Sequence, residues 1–189
     1  MSALQQPQDL FGGVEDVWLE IGFGGGEHIA WQAAAHPGVG FIGCEAYLNG
    51  IAKLLSDVDE QGIANIRVHD GDARELVADL GSSSIGRIFL LFPDPWPKRR
   101  HHKRRIVTPA MLAEFHRILK PGGTLRFASD IRDYIAWTLL HVRAHGGFEW
   151  LAERPRDWRE RPPDWPATRY EAKARAEGRE PAFLTFRRL

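Results

Sequence analysis

Short apolar runs, most of them closed by an acid or a glycine, alternate with longer amphipathic stretches along almost the whole chain. Val17-Trp18-Leu19-Glu20-Ile21 reads as a first buried strand, Gly40 to Glu45 as a second, Ile63 to His69 as a third and Ile85 to Phe92 as a fourth. Between them the apolar spacing widens to the helical period. Glu27 to about His36 predicts a helix broken by Pro37-Gly38, and Tyr47 to Gln61 a second with Ile51, Leu54, Leu55 and Val58 on one face. Asp70-Gly71-Asp72 turns into a short helix ending near Gly81. Thr108-Pro109 joins a capping hydroxyl to a proline suited to the first turn, so a helix runs from there to Leu119. Lys120-Pro121-Gly122-Gly123 predicts a tight turn into a fifth strand, Thr124 to Ala128, followed by an amphipathic helix from Ile131 to about His145. Glu153 to Pro166, rich in Pro, Arg and Trp, reads as an extended surface segment, Thr168 to Glu177 as a short helix and Pro181 to Arg187 as a closing strand.

Strands alternating with helices at this spacing make an α/β fold, a doubly wound, mostly parallel sheet with helices on both faces. Its switch point falls near the ends of the first and fourth strands, where ligands bind in such sheets. One domain is expected over residues 1–189, with 1–16 a short flexible amino-terminal segment.

Composition narrows the function. Lys plus Arg and Asp plus Glu both number 25, so the formal net charge is zero and a role on nucleic acid must rest on local clustering. Such a cluster exists: six of the eight residues from Lys98 to Arg105 are Lys or Arg, the others being His101 and His102. The single cysteine, Cys44, excludes an internal disulfide and a cysteine-based zinc site. No His and acid pairs recur at ligand spacing, so no metal is expected. No apolar run approaches the roughly 18 residues of a membrane span, and Met1 to Asp9 lacks a signal-peptide core. A cytoplasmic location and no membrane partner follow.

The densest chemistry lies directly after the fourth strand, in Pro93-Asp94-Pro95-Trp96-Pro97-Lys98-Arg99-Arg100. Proline fixes φ and lacks an N–H, so three prolines in five residues end the strand and hold Asp94 and Trp96 at its carboxyl tip. After the first strand, Gly22, Gly24 and Gly26 form a G-x-G-x-G turn. A dinucleotide fingerprint would need G-x-G-x-x-G, but position 27 is Glu, which would repel a pyrophosphate at the helix start. Glu20, Glu45 and Asp72 place an acid at or near the end of each of the first three strands. Each alone also fits a cap or turn. Together they suit S-adenosyl-L-methionine, whose positive charge and ribose both call for carboxylates.

With these pieces placed, the chain resembles the bacterial tRNA (guanine-N7-)-methyltransferase family of class I S-adenosylmethionine enzymes. The resemblance is carried by Leu19-Glu20-Ile21-Gly22-Phe23-Gly24-Gly25-Gly26, Gly43-Cys44-Glu45, Gly71-Asp72-Ala73, Pro93-Asp94-Pro95-Trp96 with its basic run, Ser129-Asp130 and Thr168-Arg169-Tyr170-Glu171. It implies a seven-stranded sheet with the last strand antiparallel, and methylation of N7 of the variable-loop guanine, tRNA position 46, to 7-methylguanosine. It further implies that Glu20, Gly22, Gly24, Gly26, Glu45, Asp72 and Asp94 hold the cofactor, with Asp94 also catalytic. Lys98, Asp130, Thr168, Arg169, Tyr170 and Glu171 would contact the substrate, and Arg100, His101, His102, Lys103, Arg104 and Arg105 the RNA. The family usually carries a longer basic arm before its first strand; here sixteen residues precede Val17, none of them Lys or Arg. Monomer and homodimer both remain open.

Overall fold

The alternating pattern resolves into a seven-stranded sheet with helices on both faces, in a computed structural model that describes residues 6–189. The strands are β1 (Asp16–Ile21), β2 (Val39–Glu45), β3 (Ile66–Asp70), β4 (Ile85–Leu91), β5 (Leu119–Ser129), β6 (Phe148–Trp150) and β7 (Ala182–Arg188). Their order is β3-β2-β1-β4-β5-β7-β6, parallel through β5, with β7 antiparallel to both β5 and β6. The helices are α1 (Glu27–Ala35), α2 (Leu48–Gln61), α3 (Ala73–Asp79), α4 (Pro109–Ile118), α5 (Arg132–His145), α6 (Arg156–Arg159) and α7 (Arg169–Ala176). The chain reverses direction across the sheet between β1 and β4, as the element pattern predicts.

Strand periodicity explains the two cores. Val17, Leu19 and Ile21 of β1 pack with Leu76, Met111, Phe115 and Tyr134 of α3, α4 and α5. Trp18, on the opposite face, packs with Ile29, Ile51 and Leu54 of α1 and α2. Cys44 lies buried at the end of β2, and burial, reinforced by Glu45 and Asp72, pushes its thiol up to about 12. Thr108 caps α4, its Oγ1 accepting from the Met111 N–H at 3.2 Å. Among the described residues no helix is long and apolar enough to cross a membrane.

Several elements depart from the sequence pattern. Residues 120–123 do not precede the fifth strand but bulge inside it, the register jumping from Ile85↔Leu119 to Arg87↔Thr124. Lys120 anchors the bulge by donating to Asp16 Oδ1 at 2.7 Å. β3 starts at Ile66, because the Asn65 side chain donates to the carbonyls of Ala33, His36 and Val39 and ties the preceding loop down. β6, three residues long, is too short for a periodic signal. Residues 153–166 are not simply extended surface: they include α6, and Trp165 is buried against Phe89 and Phe183. Of the amino-terminal segment expected to be flexible, residues 1–5 lie outside the described residues. Pro7–Phe11 form a 3-10 turn, with Gln8 donating to the Ser84 carbonyl at 3.0 Å.

Candidate active site

The carboxyl ends of β1, β2 and β4 open into a cleft of about 410 Å³, inside the range of roughly 300–1,000 Å³ usual for small-molecule sites. The glycine turn forms one side, Glu45, Tyr47 and Arg74 line the second, and Asp94, Trp96 and Arg104 the third. Tyr170, at the start of α7, leans across: it stacks on Phe92 with ring centroids 6.4 Å apart, and its hydroxyl would lie 3.0 Å from any Cβ at Gly24. Gly22 sits at φ +72° with nothing within 4 Å of where a Cβ would be, so the backbone itself faces the cleft.

Glu45 braces this turn. Its Oε2 accepts from the Gly24 N–H at 2.8 Å, and its Oε1 from the Ala46 and Tyr47 N–H groups at 2.8 and 3.0 Å. A carboxylate oxygen has about two acceptor sites, so Oε2 keeps one site free for a ligand hydroxyl. Gly50 of α2 sits against the same turn: an added Cβ would lie 2.1 Å from the Gly24 carbonyl oxygen. Gly50→Ala therefore pushes backbone against backbone, and overpacking of this kind costs about 1–3 kcal/mol. A lowered melting temperature in thermal unfolding is the expected result.

The other two strand-end acids do not line the cleft. Glu20 follows the alternation of β1 onto the α1 face, where it is buried and its Oε2 lies 2.6 Å from His28 Nδ1. It reaches only a narrow slot beside Gly22 and Tyr170. Asp72 caps α3 instead, accepting from the Arg74 N–H at 2.8 Å. The cap uses Oδ1, and the side chain stays about half exposed.

Asp94 lines the cleft, exposed, with no hydrogen bond or ion pair to its carboxylate among the described residues. The backbone around it is strained: Phe92 and Trp96 adopt φ of +50° and +42°, a left-handed conformation that costs non-glycine residues about 1–3 kcal/mol each. The basic run that follows is a 3-10 turn, Arg99–Arg104, begun by exposed Lys98. Arg100 and Lys103 are exposed, and the His101 ring meets Trp96 edge-on. Three members of the run make contacts within the fold. Arg104 lies over the Trp96 ring at 4.8 Å and lines the cleft. His102 turns inward against Trp137 and Asp133. Arg105 is wholly buried, donating to the Pro95 carbonyl at 2.9 Å and pairing with Asp133, whose carboxyl this bond holds below the usual range.

The expected substrate contacts are split. Tyr170 reaches the cleft, and Arg169 beside it lies 3.6 Å from Glu27. Thr168 caps α7 through Glu171 N–H at 3.2 Å. Glu171 is buried between Arg161 and Arg175, each 3.0 Å away, and Asp130 is held by Arg179 in a separate cavity, so neither carboxylate faces the cleft. Sequence reasoning missed Arg74 and His28. Arg74 lies two residues after the α3 cap, and a helix start reaching the sheet's carboxyl edge could have signalled it; His28, the second residue of α1, carried no signal. No group of three His, Cys, Asp or Glu side chains able to hold a metal is found among the described residues.

Comparison with known proteins gives this geometry its setting. The profile of a family described as "Putative methyltransferase" matches residues 14–184. The chain is 57% identical over 175 residues to the tRNA (guanine-N(7)-)-methyltransferase of Rhodospirillum rubrum, covering 93% of this chain and 69% of that protein. It is 58% identical over 188 residues to the enzyme of the same name from Ruegeria pomeroyi, covering 98% and 78%. Among solved structures it resembles the 16S rRNA methyltransferase KamB (TM-score 0.67, 14% identity, 96% and 91% covered) and the aminoglycoside resistance methyltransferase NpmB1 (TM-score 0.64, 17% identity, 97% and 92% covered). These two likenesses concern the fold alone. The sequence match extends across the glycine turn, Asp94 and the basic turn alike, and the chain belongs to the tRNA (guanine-N(7)-)-methyltransferase family.

Proposed function

We propose that the chain transfers a methyl group from S-adenosyl-L-methionine to N7 of a guanine in tRNA, the variable-loop guanine at position 46, in the cytoplasm. One observation carries the reading most: an unpaired carboxylate, Asp94, shares a cleft with an open glycine turn and lies beside an exposed cationic turn. The cleft's chemistry fits the cofactor. Gly22 offers bare backbone and Glu45 Oε2 a free acceptor site for a ribose hydroxyl. When bound there, S-adenosylmethionine would supply an electrophilic methyl group on a positively charged sulfur.

Guanine N7 carries a lone pair and no proton, so no general base is required and the protein's task is alignment. Asp94 accepts from guanine N1–H and the exocyclic amine, which fixes the ring and aims N7 into the cleft. As the ring gains positive charge, the same carboxylate stabilises it without reorganising. Trp96, backed by Arg104, offers a face on which the base stacks. Lys98, Arg100 and Lys103 meet phosphates, which set register without reading sequence. The test is methyl transfer from labelled cofactor to unmodified tRNA transcripts with and without the position-46 guanine. 7-Methylguanosine in the first transcript alone is the expected product; label elsewhere, or none, overturns the reading.

A further inference from the structure

Arg105 closes the basic run, yet nothing about it suits a phosphate contact. Its side chain is 0% exposed. Its guanidinium carbon lies 4.8 Å from the Tyr134 ring and 5.0 Å from the Trp137 ring, both on α5. Its Nη2 donates to Asp133 Oδ2 on the same helix, and its Nε donates to the Pro95 carbonyl at 2.9 Å. Pro95 is the residue after Asp94.

The loop that carries Asp94 has few other means of being held. Prolines 93, 95 and 97 have no N–H to give. Among the described residues, the hydrogen bonds joining residues 92–97 to the rest of the fold are Phe92 N–H to the Ala128 carbonyl, 2.7 Å, and the Arg105 bond to Pro95. The first fixes the loop where it leaves β4; the second fixes it just past the aspartate. Between them the backbone holds the left-handed conformation at Phe92, and a second such residue, Trp96, follows directly. A strained loop keeps its shape only where its surroundings over-determine it.

We propose that Arg105 is a positioning residue for Asp94 and not a contact for RNA, an inference that rests on the methyl-transfer reading above. The guanidinium acts as a rigid three-way joint: one edge on the loop carbonyl, one on the Asp133 carboxylate, its faces between two aromatic rings. Lysine's three donors sit on one compact ammonium, which lacks the planar fork that spans both acceptors while stacking between the rings.

The test compares Arg105→Gln, Arg105→Lys and Asp133→Asn with Val142→Ala, a truncation in the buried face of α5 remote from the loop. Each variant is assayed below its melting temperature for single-turnover methyl transfer at saturating tRNA, and for tRNA affinity across a salt series. Both Arg105 variants are expected to lose at least tenfold in the transfer rate, with tRNA affinity and its salt slope within twofold of wild type. Asp133→Asn loses less, and Val142→Ala keeps its rate despite a comparable fall in melting temperature. Weakened tRNA binding with a flattened salt slope and an intact rate would make Arg105 a phosphate contact and overturn the proposal. So would an unchanged rate, or a loss that Val142→Ala matches. If Arg105→Gln does not fold, Arg105→Lys and Asp133→Asn decide by the same split. A wild-type chain that methylates no guanine N7 removes the methyl-transfer reading and this proposal with it. An active wild type with equally fast Arg105 variants removes this proposal alone.

Discussion

Asp94→Asn leaves S-adenosylhomocysteine binding within a few-fold of wild type and lowers single-turnover methyl transfer by at least tenfold. Asparagine matches aspartate in size, so the proline-braced loop and the cleft keep their shape. What changes is the chemistry of the tip. One acceptor oxygen becomes an amide donor that faces the N1–H and amine of guanine, and the negative charge opposite the growing ring cation is lost. A hydrogen bond to a charged group contributes about 1.5–3 kcal/mol, and each 1.36 kcal/mol on the barrier is tenfold in rate. A loss between about ten- and a hundredfold follows from that one bond alone. Rapid-quench measurement with saturating tRNA separates this from binding; a rate equal to wild type would remove Asp94 from the chemistry.

The second large effect concerns the cationic turn. Lys98, Arg100 and Lys103 are exposed and make no ion pair among the described residues, whereas Arg104 is engaged with Trp96 and Arg105 is buried. Neutralising the first three to Gln is therefore expected to weaken tRNA binding and to reduce the slope of log affinity against log salt by about 2–3. The figure follows from roughly 0.7 per phosphate on single strands and 0.9 on duplex. Cofactor binding stays unchanged. Titrations between low and near-physiological salt read both quantities, and an unaltered slope would mean that the turn is only solvated surface.

Elements with a repeating pattern were legible in the sequence, and so was the convergence of Asp94 with the glycine turn, because strand order places both at the switch point. Thr108-Pro109 announced its helix through local chemistry, and the structure keeps the cap. What failed to show were features fixed by long-range neighbours. Nothing local tells Arg105 from Arg104; its burial comes from Tyr134 and Trp137, some thirty residues on. Glu171 reads as a free acid until Arg161 and Arg175 close on it. Glu20 sits one residue short of the strand tip, so pleating turns it toward His28 and away from the cleft. Trp165 lies in a stretch whose prolines and arginines suggest solvent, yet it fills the space over Phe89 and Phe183.

The placement of β7 between β5 and β6 bears on how the chain acquires its shape during synthesis. β6 appears first in sequence but takes its hydrogen bonds from β7, so it has no ladder to join while residues 182–188 are still inside the ribosome. Until they emerge, the flank of β5 that later binds β7 is a bare edge, the kind of surface on which nascent chains stick to one another. The half of the molecule holding the glycine turn precedes β7 in synthesis, whereas the far side of the sheet closes only once β7 emerges.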